Sequence, residues 1–465
     1  MKHDAHGYWL EEAPEVGVAP ELVGEQSADV VVVGGGYTGM WAAWHIKQLE
    51  PEASVVLLEA DRCGFGPSGR NGGFCNLMWF SLPNMRERWG DAGALDVARA
   101  AEAAAVGIGD FCEEEGVDAW YRRGGYLQVS TAPAHDRVWA KALDACRELG
   151  AEDAIEPLSA AQVAEHCKSP AFRGGAFYPK AATVQPARLA LGLRERLKAR
   201  GVAVLEHSPV SRVVGSSVGV EAHTDRGVVC AQRAVLAVGA AAKAAGGPLR
   251  NRLSVASSHI VLTEPVPELL EEIGWTGGEC ITDSRALINY FRTTPNGRIA
   301  FGWGGGHIAM GARLHGRAEL DPEVVSLAAE QLWEYFPGLE GRALTHAWGG
   351  PIDASPTHLP LVLPLRGNRA FAAAGYTGNG VGPSHMVGRT LASLALDLRD
   401  EPSRLAFIDP PPPALPPEPF QWLGAEAIRA GIIRKESAEL SNRRPDPISS
   451  LLARIPELIG FHIGR

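Results

Sequence analysis

Residues 29–39, Asp-Val-Val-Val-Val-Gly-Gly-Gly-Tyr-Thr-Gly, constrain this chain more than any other stretch. An apolar β-branched run enters Gly34-x-Gly36-x-x-Gly39, a helix-like segment follows, and a second apolar run, Val55–Leu58, ends on Glu59. Gly34 allows a tight strand-to-helix turn, Gly36 lets backbone approach a diphosphate, and Gly39 lets helix and strand pack closely. Tyr37 and Thr38 open the helix, whose free N–H groups and positive dipole end suit that diphosphate. Glu59, with Ala60 beside it, lies twenty residues past Gly39, where a carboxylate bonds both ribose hydroxyls. It repels a 2′-phosphate, so the expected ligand is FAD or NAD and not NADP.

At 465 residues the chain has room for two or three domains. A formal net charge of −10, without a basic run, argues against a nucleic-acid partner. No apolar stretch reaches membrane-spanning length. The start, Met1–Trp9, lacks the apolar core of a secretory signal. The seven cysteines are scattered without a C-x-x-C pair, which fits reduced thiols better than disulfides or a metal site. A cytoplasmic protein without metal is the expectation.

Helical spacing predicts helices over 91–116, 138–149, 186–200, 323–336, 383–398 and 425–440. Strands are expected at 126–129, 202–205, 218–223, 233–239 and 371–374. Between Leu287 and Trp303, Asn296-Gly297 reads as a two-residue hairpin turn. That register sets Tyr290 opposite Trp303 and Arg292 opposite Phe301, with Tyr290 and Arg292 on one face. From Asp409 onward, Pro410–Pro413 and Pro416–Pro417 indicate an extended connection. The nucleotide signals recur at the start, the middle and the C-terminal strand–loop–helix. An interleaved α/β architecture accounts for this. A Rossmann-like nucleotide domain (28–90, 181–255, 346–400) is interrupted by an antiparallel β-rich substrate domain (91–180, 256–345), and a tail (401–465) follows.

Three motifs carry a family resemblance. They are the fingerprint above, Cys63-Gly-Phe-Gly-Pro-Ser-Gly-Arg-Asn-Gly-Gly73, and Trp348-Gly-Gly-Pro-Ile-Asp-Ala-Ser-Pro-Thr-His-Leu-Pro360 followed by Gly375-Tyr-Thr-Gly-Asn-Gly-Val-Gly382. Over residues 28–400 the chain resembles the FAD-dependent amine and amino-acid oxidase superfamily, which includes D-amino acid, glycine and sarcosine oxidases. Within it, the gamma-glutamylputrescine oxidoreductase branch is the nearer match. The resemblance implies FAD as cofactor and the GR2/DAO type of nucleotide domain. It also implies contacts from Ser68, Gly69, Arg70, Asn71 and Gly72, with Val210 at the adenine and Ala237 and Gly239 near the ribityl chain. Gly375, Tyr376, Gly378, Asn379, Gly380 and Val381 then present a helix start to the flavin's pyrimidine carbonyl, where reduction places negative charge.

The implied reaction moves a hydride from an amine's α carbon to flavin N5, and the imine formed is hydrolysed. Such chemistry asks the protein mainly to bind and orient. Candidates for substrate contact are Tyr290, Arg292, His259, Trp303, Trp348, Tyr376 and Asn379, with Arg292 as a possible bidentate clamp on an anion. Trp79 is a weaker candidate from a core segment. Cys63 and Cys75 flank the Arg70–Asn71 loop and read as buried thiols, not flavin anchors. The partners are a small amine or amino acid and dioxygen or another acceptor. A flavin monooxygenase or NAD(P)H-dependent reductase, and a non-catalytic flavoprotein, stay open as alternatives.

Overall fold

The structure is a computed structural model; it describes residues 1–3, 6–215, 218–245, 247–365, 367, 369–408 and 414–463. The chain forms two large sheets. The first has a parallel core in the order Ala203–Leu205, Val55–Leu58, Gly24–Val33, Gly227–Leu236 and Ala370–Ala374. The antiparallel strand Leu361–Pro364 closes one edge, and the hairpin strands Arg212–Gly215 and Val220–His223 branch from Gly227–Leu236. Val30 to Val33 lie in its centre and are almost fully buried. Each such side chain contributes about 1.5–3 kcal/mol by leaving water, which explains the continuous apolar run of a strand covered on both faces. Helices Tyr37–Leu49 and Val381–Ala395 pack together over this sheet. A Cβ at Gly388 would overlap Trp41, so glycine sets that close approach.

The second sheet has nine strands: Lys2–His3, Leu344–Ala354, Ser254–Thr263, Ile299–Trp303, Asn289–Thr293, Cys280–Asp283, Tyr126–Val129, Gly174–Tyr178 and Glu156–Ser159. Its neighbours run antiparallel except at Lys2–His3 with Leu344–Ala354 and at Cys280–Asp283 with Tyr126–Val129. One face bears Val261, Phe291, Phe301 and Trp303, packed against Val324, Val325, Ala328 and Leu332 of helix Pro322–Tyr335. The opposite face bears Ile260, Leu262, Ala300 and Trp348, with Tyr8, Trp9 and Ala187 against them.

The expected hairpin register is off by one. Tyr290 pairs with Gly302, Phe291 with Phe301 and Arg292 with Ala300. The connection has three residues, Pro295, Asn296 and Gly297, because Thr294 N–H bonds Arg298 O and Gly297 N–H bonds Thr294 O. Pro295 holds the φ of an ordinary type I turn, and Gly297 (φ 73°) takes the left-handed position that Asn296 would share in a two-residue turn. Tyr290 and Arg292 do share a face, but Trp303 and Phe301 pack into the helix-covered core on the other.

Expected helices form with small boundary changes: Leu82–Glu114, broken at Gly90, then Ala140–Glu148, Pro186–Ala199, Pro322–Tyr335, Val381–Ala395 and Phe420–Leu440. Four short helices inside the chain were missed, Pro67–Arg70, Ala160–His166, Ala242–Ala245 and Pro267–Glu272, and so were two nearer its ends, Gly7–Glu12 and Pro447–Leu458. The last of these carried a legible start, since Asp446 caps Ser449 N–H with Pro447 in the first turn. Pro410–Pro413 lie outside the described residues, and 414–417 form no regular element. Among the described residues no helix is long and apolar enough to cross a membrane.

Candidate active site

The fingerprint folds as its glycines require. Gly34 (φ 110°) lies so close to Ala237 that a Cβ would overlap the Ala237 carbonyl, and a Cβ at Gly39 would overlap Gly34 O. Helix Tyr37–Leu49 starts at Gly36 without a side-chain cap from that residue. Ser68 lies not in a loop, as expected, but in the short helix Pro67–Arg70; its Oγ accepts from Tyr37 N–H at 2.9 Å, which joins that helix to this helix start. Glu59 accepts from Gly35 N–H at 2.6 Å and Asp61 N–H at 3.0 Å; burial pushes its carboxyl above the usual range despite those bonds. Ala60 is exposed next to it. His207 and Ser208 N–H groups bond Asp61 O and Glu59 O. The following Val210 is half-buried against the cluster that contains Leu58 and Leu205.

The loop after Arg70 is built from its own side chain. Asn71 Nδ2 donates to Pro67 O and Ser68 O, and its Oδ1 accepts from Gly73 N–H at 2.7 Å. Arg70 Nε turns back toward Gly66 O, while Arg70 O accepts from Trp348 Nε1 at 2.8 Å. Gly69 is buried, and a Cβ there would overlap Gly64 O. Gly72 lies against the Tyr290 ring, so that strand, Trp348 and the loop meet in one place.

The Gly375–Gly380 segment approaches from the other side. Thr38 and Tyr376 share a 2.7 Å hydroxyl bond that connects the first helix start to this loop. Gly378 lies next to Ile352. Asn379 closes a turn through its N–H to Tyr376 O, and Gly380 leads into helix Val381–Ala395 without a side-chain cap. Gly239 opens a short turn behind Ala237. Two helix starts whose N-cap residues are glycines, the first met by Ser68, and one acidic residue beside the first thus border one space. That donor set fits a flavin dinucleotide: the first helix start with Ser68 would hold the diphosphate, Glu59 the ribose and the second helix start the ring's electron-rich edge.

The sheet side of this space is mostly uncharged. Tyr290 hydroxyl bonds Ser258 Oγ at 2.7 Å, and Ser258 also donates to Trp303 O at 2.9 Å. Trp348 is fully buried, edge-on to Trp9. Between Trp348 and Ile352 lies Gly350, at which a Cβ would meet nothing within 4 Å. Arg292 shares this face, but its Nη1 donates to Gly73 O and Val184 O and its Nε to Thr293 O. Burial pulls its guanidinium down to about 10. It braces the Gly73 loop through main-chain carbonyls, which leaves the expected bidentate anion clamp without its fork.

His259 and Trp303 are not brought here. His259 faces the helix-covered side, where Nε2 accepts from Asp321 N–H at 2.9 Å; burial lowers its pKa to about 4. Trp303 donates to Leu287 O from the same side. Trp79 is buried in the core and donates to Glu102. Cys63 and Cys75 are buried thiols, both pushed up by burial.

Sequence reading missed Ser258, Gly350 and Asp353. Asp353 accepts from Gly375 N–H at 2.6 Å and, by burial, is raised to about 6. It fixes the turn into the second loop. Its signal was an acidic residue inside an otherwise neutral glycine- and proline-rich motif.

The chain matches the FAD dependent oxidoreductase (DAO) family over residues 29–394. It is 28% identical over 431 residues to the gamma-glutamylputrescine oxidoreductase of Escherichia coli (strain K12), covering 90% of this chain and 93% of that protein. Among solved structures, a glycine oxidase from Geobacillus kaustophilus superposes with a TM-score of 0.66 at 19% identity, covering 81% of this chain and 96% of that one. An L-proline dehydrogenase from P.horikoshii gives 0.68 at 16% identity, covering 82% and 96%. The match over most of its length makes this chain a member of the FAD dependent oxidoreductase (DAO) family, with FAD as its cofactor.

Proposed function

We propose that this chain oxidises the C–N bond of a primary or secondary amine or amino acid. The Tyr37 helix start with Ser68, Glu59 and the start of helix Val381–Ala395 would hold FAD. Held there, it would supply the two-electron sink that takes the α hydrogen as hydride, and water would hydrolyse the imine left behind to a carbonyl and an amine. The observation that carries the reading is the meeting of both helix starts and the Arg70–Gly73 loop with an uncharged wall around an open position at Gly350. The likeness to gamma-glutamylputrescine oxidoreductase supports an amine as the reducing substrate.

Each part has a task in this reading. Tyr290, Ser258, Trp348 and Ile352 exclude water and orient the substrate carbon. The start of helix Val381–Ala395 contributes a partial charge of about half a unit toward the ring edge that gains charge. Asp353 and the Thr38–Tyr376 bond hold that loop in place. No proton-abstracting side chain is required when the amine binds neutral. Dioxygen or another carrier takes the electrons onward.

Incubating the FAD-loaded protein with amines, an acceptor dye and a carbonyl trap tests this. Trapped carbonyl with matching dye reduction from one amine class is expected. Dye reduction by NADPH with no carbonyl from any amine would replace this reading with a reductase.

A further inference from the structure

The family match ends at residue 394, yet the tail beyond it is tied to two loops that border the candidate site. Glu426 Oε1 accepts from Ile308 N–H at 2.6 Å, and Trp422 Nε1 donates to Ile308 O at 3.1 Å. Arg429 Nε donates to both Gly305 O and Gly306 O at 2.9 Å. Glu418 Oε1 accepts from Gly311 N–H at 3.0 Å. Further along, Glu436 Oε1 accepts from Ala286 N–H at 2.6 Å and Leu287 N–H at 3.4 Å. Trp422, Glu426, Arg429 and Glu436 of helix Phe420–Leu440 are therefore each bonded to main chain of another element.

The recipients need that help. Residues 304–311, Gly-Gly-Gly-His-Ile-Ala-Met-Gly, form neither helix nor strand and carry little apolar surface to bury. Ordering such glycines costs more backbone entropy than ordering other residues. The loop continues strand Ile299–Trp303, and the 284–288 loop leads into strand Asn289–Thr293, which carries Tyr290. Ala309 N–H bonds Val255 O, and Ser257 Oγ donates to His307 O, which lays the glycine loop along the strand next to Ser258. Ser258 in turn bonds Tyr290 and Trp303 O. A continuous series of bonds thus runs from the tail through both loops to the Ser258–Tyr290 pair.

We propose that helix Phe420–Leu440 is a positioning element of the active site, in which Arg429 and Glu436 fix the 304–311 and 284–288 loops so that Ser258 and Tyr290 present one arrangement to the substrate. Its kinetic consequence rests on the amine-oxidising reading; its structural consequence does not. The site is then completed by a segment outside the family core, and substrate fit depends on it.

The test uses the full-length, FAD-loaded protein and two variants. Arg429→Ala removes the donor to two glycine carbonyls, and Trp422→Phe removes only the indole donor to Ile308 O. Hydrogen exchange at 304–311, 284–290 and 257–259 should accelerate about tenfold in Arg429→Ala, the loss of a charge-assisted bond, and less in Trp422→Phe. The amine concentration that half-saturates anaerobic flavin reduction should rise in the same order, with limiting rate and FAD content near wild type. Wild-type exchange in both variants would overturn the proposal. So would faster loop exchange with unchanged half-saturation, which marks a brace without influence on the site. If no amine reduces even the wild type, the amine reading fails and exchange alone decides: acceleration reaching Ser258 and Tyr290 supports the positioning role, and acceleration confined to the loops overturns it. If Arg429→Ala does not fold, Trp422→Phe carries the same readings.

Discussion

Gly350 separates the site from the scaffold at the scale of one side chain. Its missing Cβ faces open space, so Gly350→Val should fold with little change in melting temperature. It should also raise the half-saturating amine concentration by at least about tenfold, the effect of a misplaced or obstructed substrate; steady-state kinetics beside a thermal melt checks this. Asp353→Ala removes the acceptor for Gly375 N–H. A lost charged hydrogen bond of roughly 1.5–3 kcal/mol should weaken FAD retention about tenfold or more, measured by flavin release on dilution. Arg292→Met should cost about 1–3 kcal/mol of stability through the backbone carbonyls it leaves unpaired, while leaving amine preference unchanged. Urea unfolding and a substrate panel separate those outcomes. Local roles were legible where a motif fixed the backbone: Gly34 and Gly39 make approaches that leave no room for a Cβ, and Asn71 closes its loop on Gly73 N–H. They were not legible where a role depends on which strand face a residue takes. His259 and Trp303 look like site residues as letters, but the pleat turns both toward helix Pro322–Tyr335.

At the scale of elements, the hairpin shows how one turn residue decides such a face. Pro295 selects a three-residue connection over the two-residue turn that Asn296-Gly297 suggests. Side chains alternate along a strand, so a one-residue slip exchanges partners across the whole ladder. The tail shows the converse: its helices were partly legible from spacing, but its destination was not, because polar side chains seeking main-chain partners leave no periodic signature. Glu436 gives this contact a pH dependence. Burial raises its carboxyl to about 7 from 4.5, with Arg285 opposing and Asp283 reinforcing the shift; Tyr335 also borders this group of charges. The folded chain keeps a proton that the unfolded chain has already released. Stability from this group is therefore fully present below pH 4.5 and is lost as pH rises through 7, by about 3 kcal/mol. Melting curves from pH 5 to 8 should show that decline in wild type and a flatter profile in Glu436→Gln.

Across the whole molecule, a parallel sheet supplies the helix starts and a largely antiparallel sheet supplies the wall. Strands of the two alternate along the chain, so the site exists only once distant segments have met. Recurring nucleotide motifs made that alternation legible, whereas the wall's composition required the observed register. The uncharged surround of Gly350, with Arg292 turned to carbonyls, is the feature from which amine oxidation is argued. The decisive observation is the anaerobic absorption spectrum of the FAD-loaded protein as amines and amino acids are added. Bleaching of the oxidised-flavin band by one amine class, without NAD(P)H, is the expected result. A flavin that stays oxidised with every amine, and bleaches only with NADPH or not at all, would contradict it.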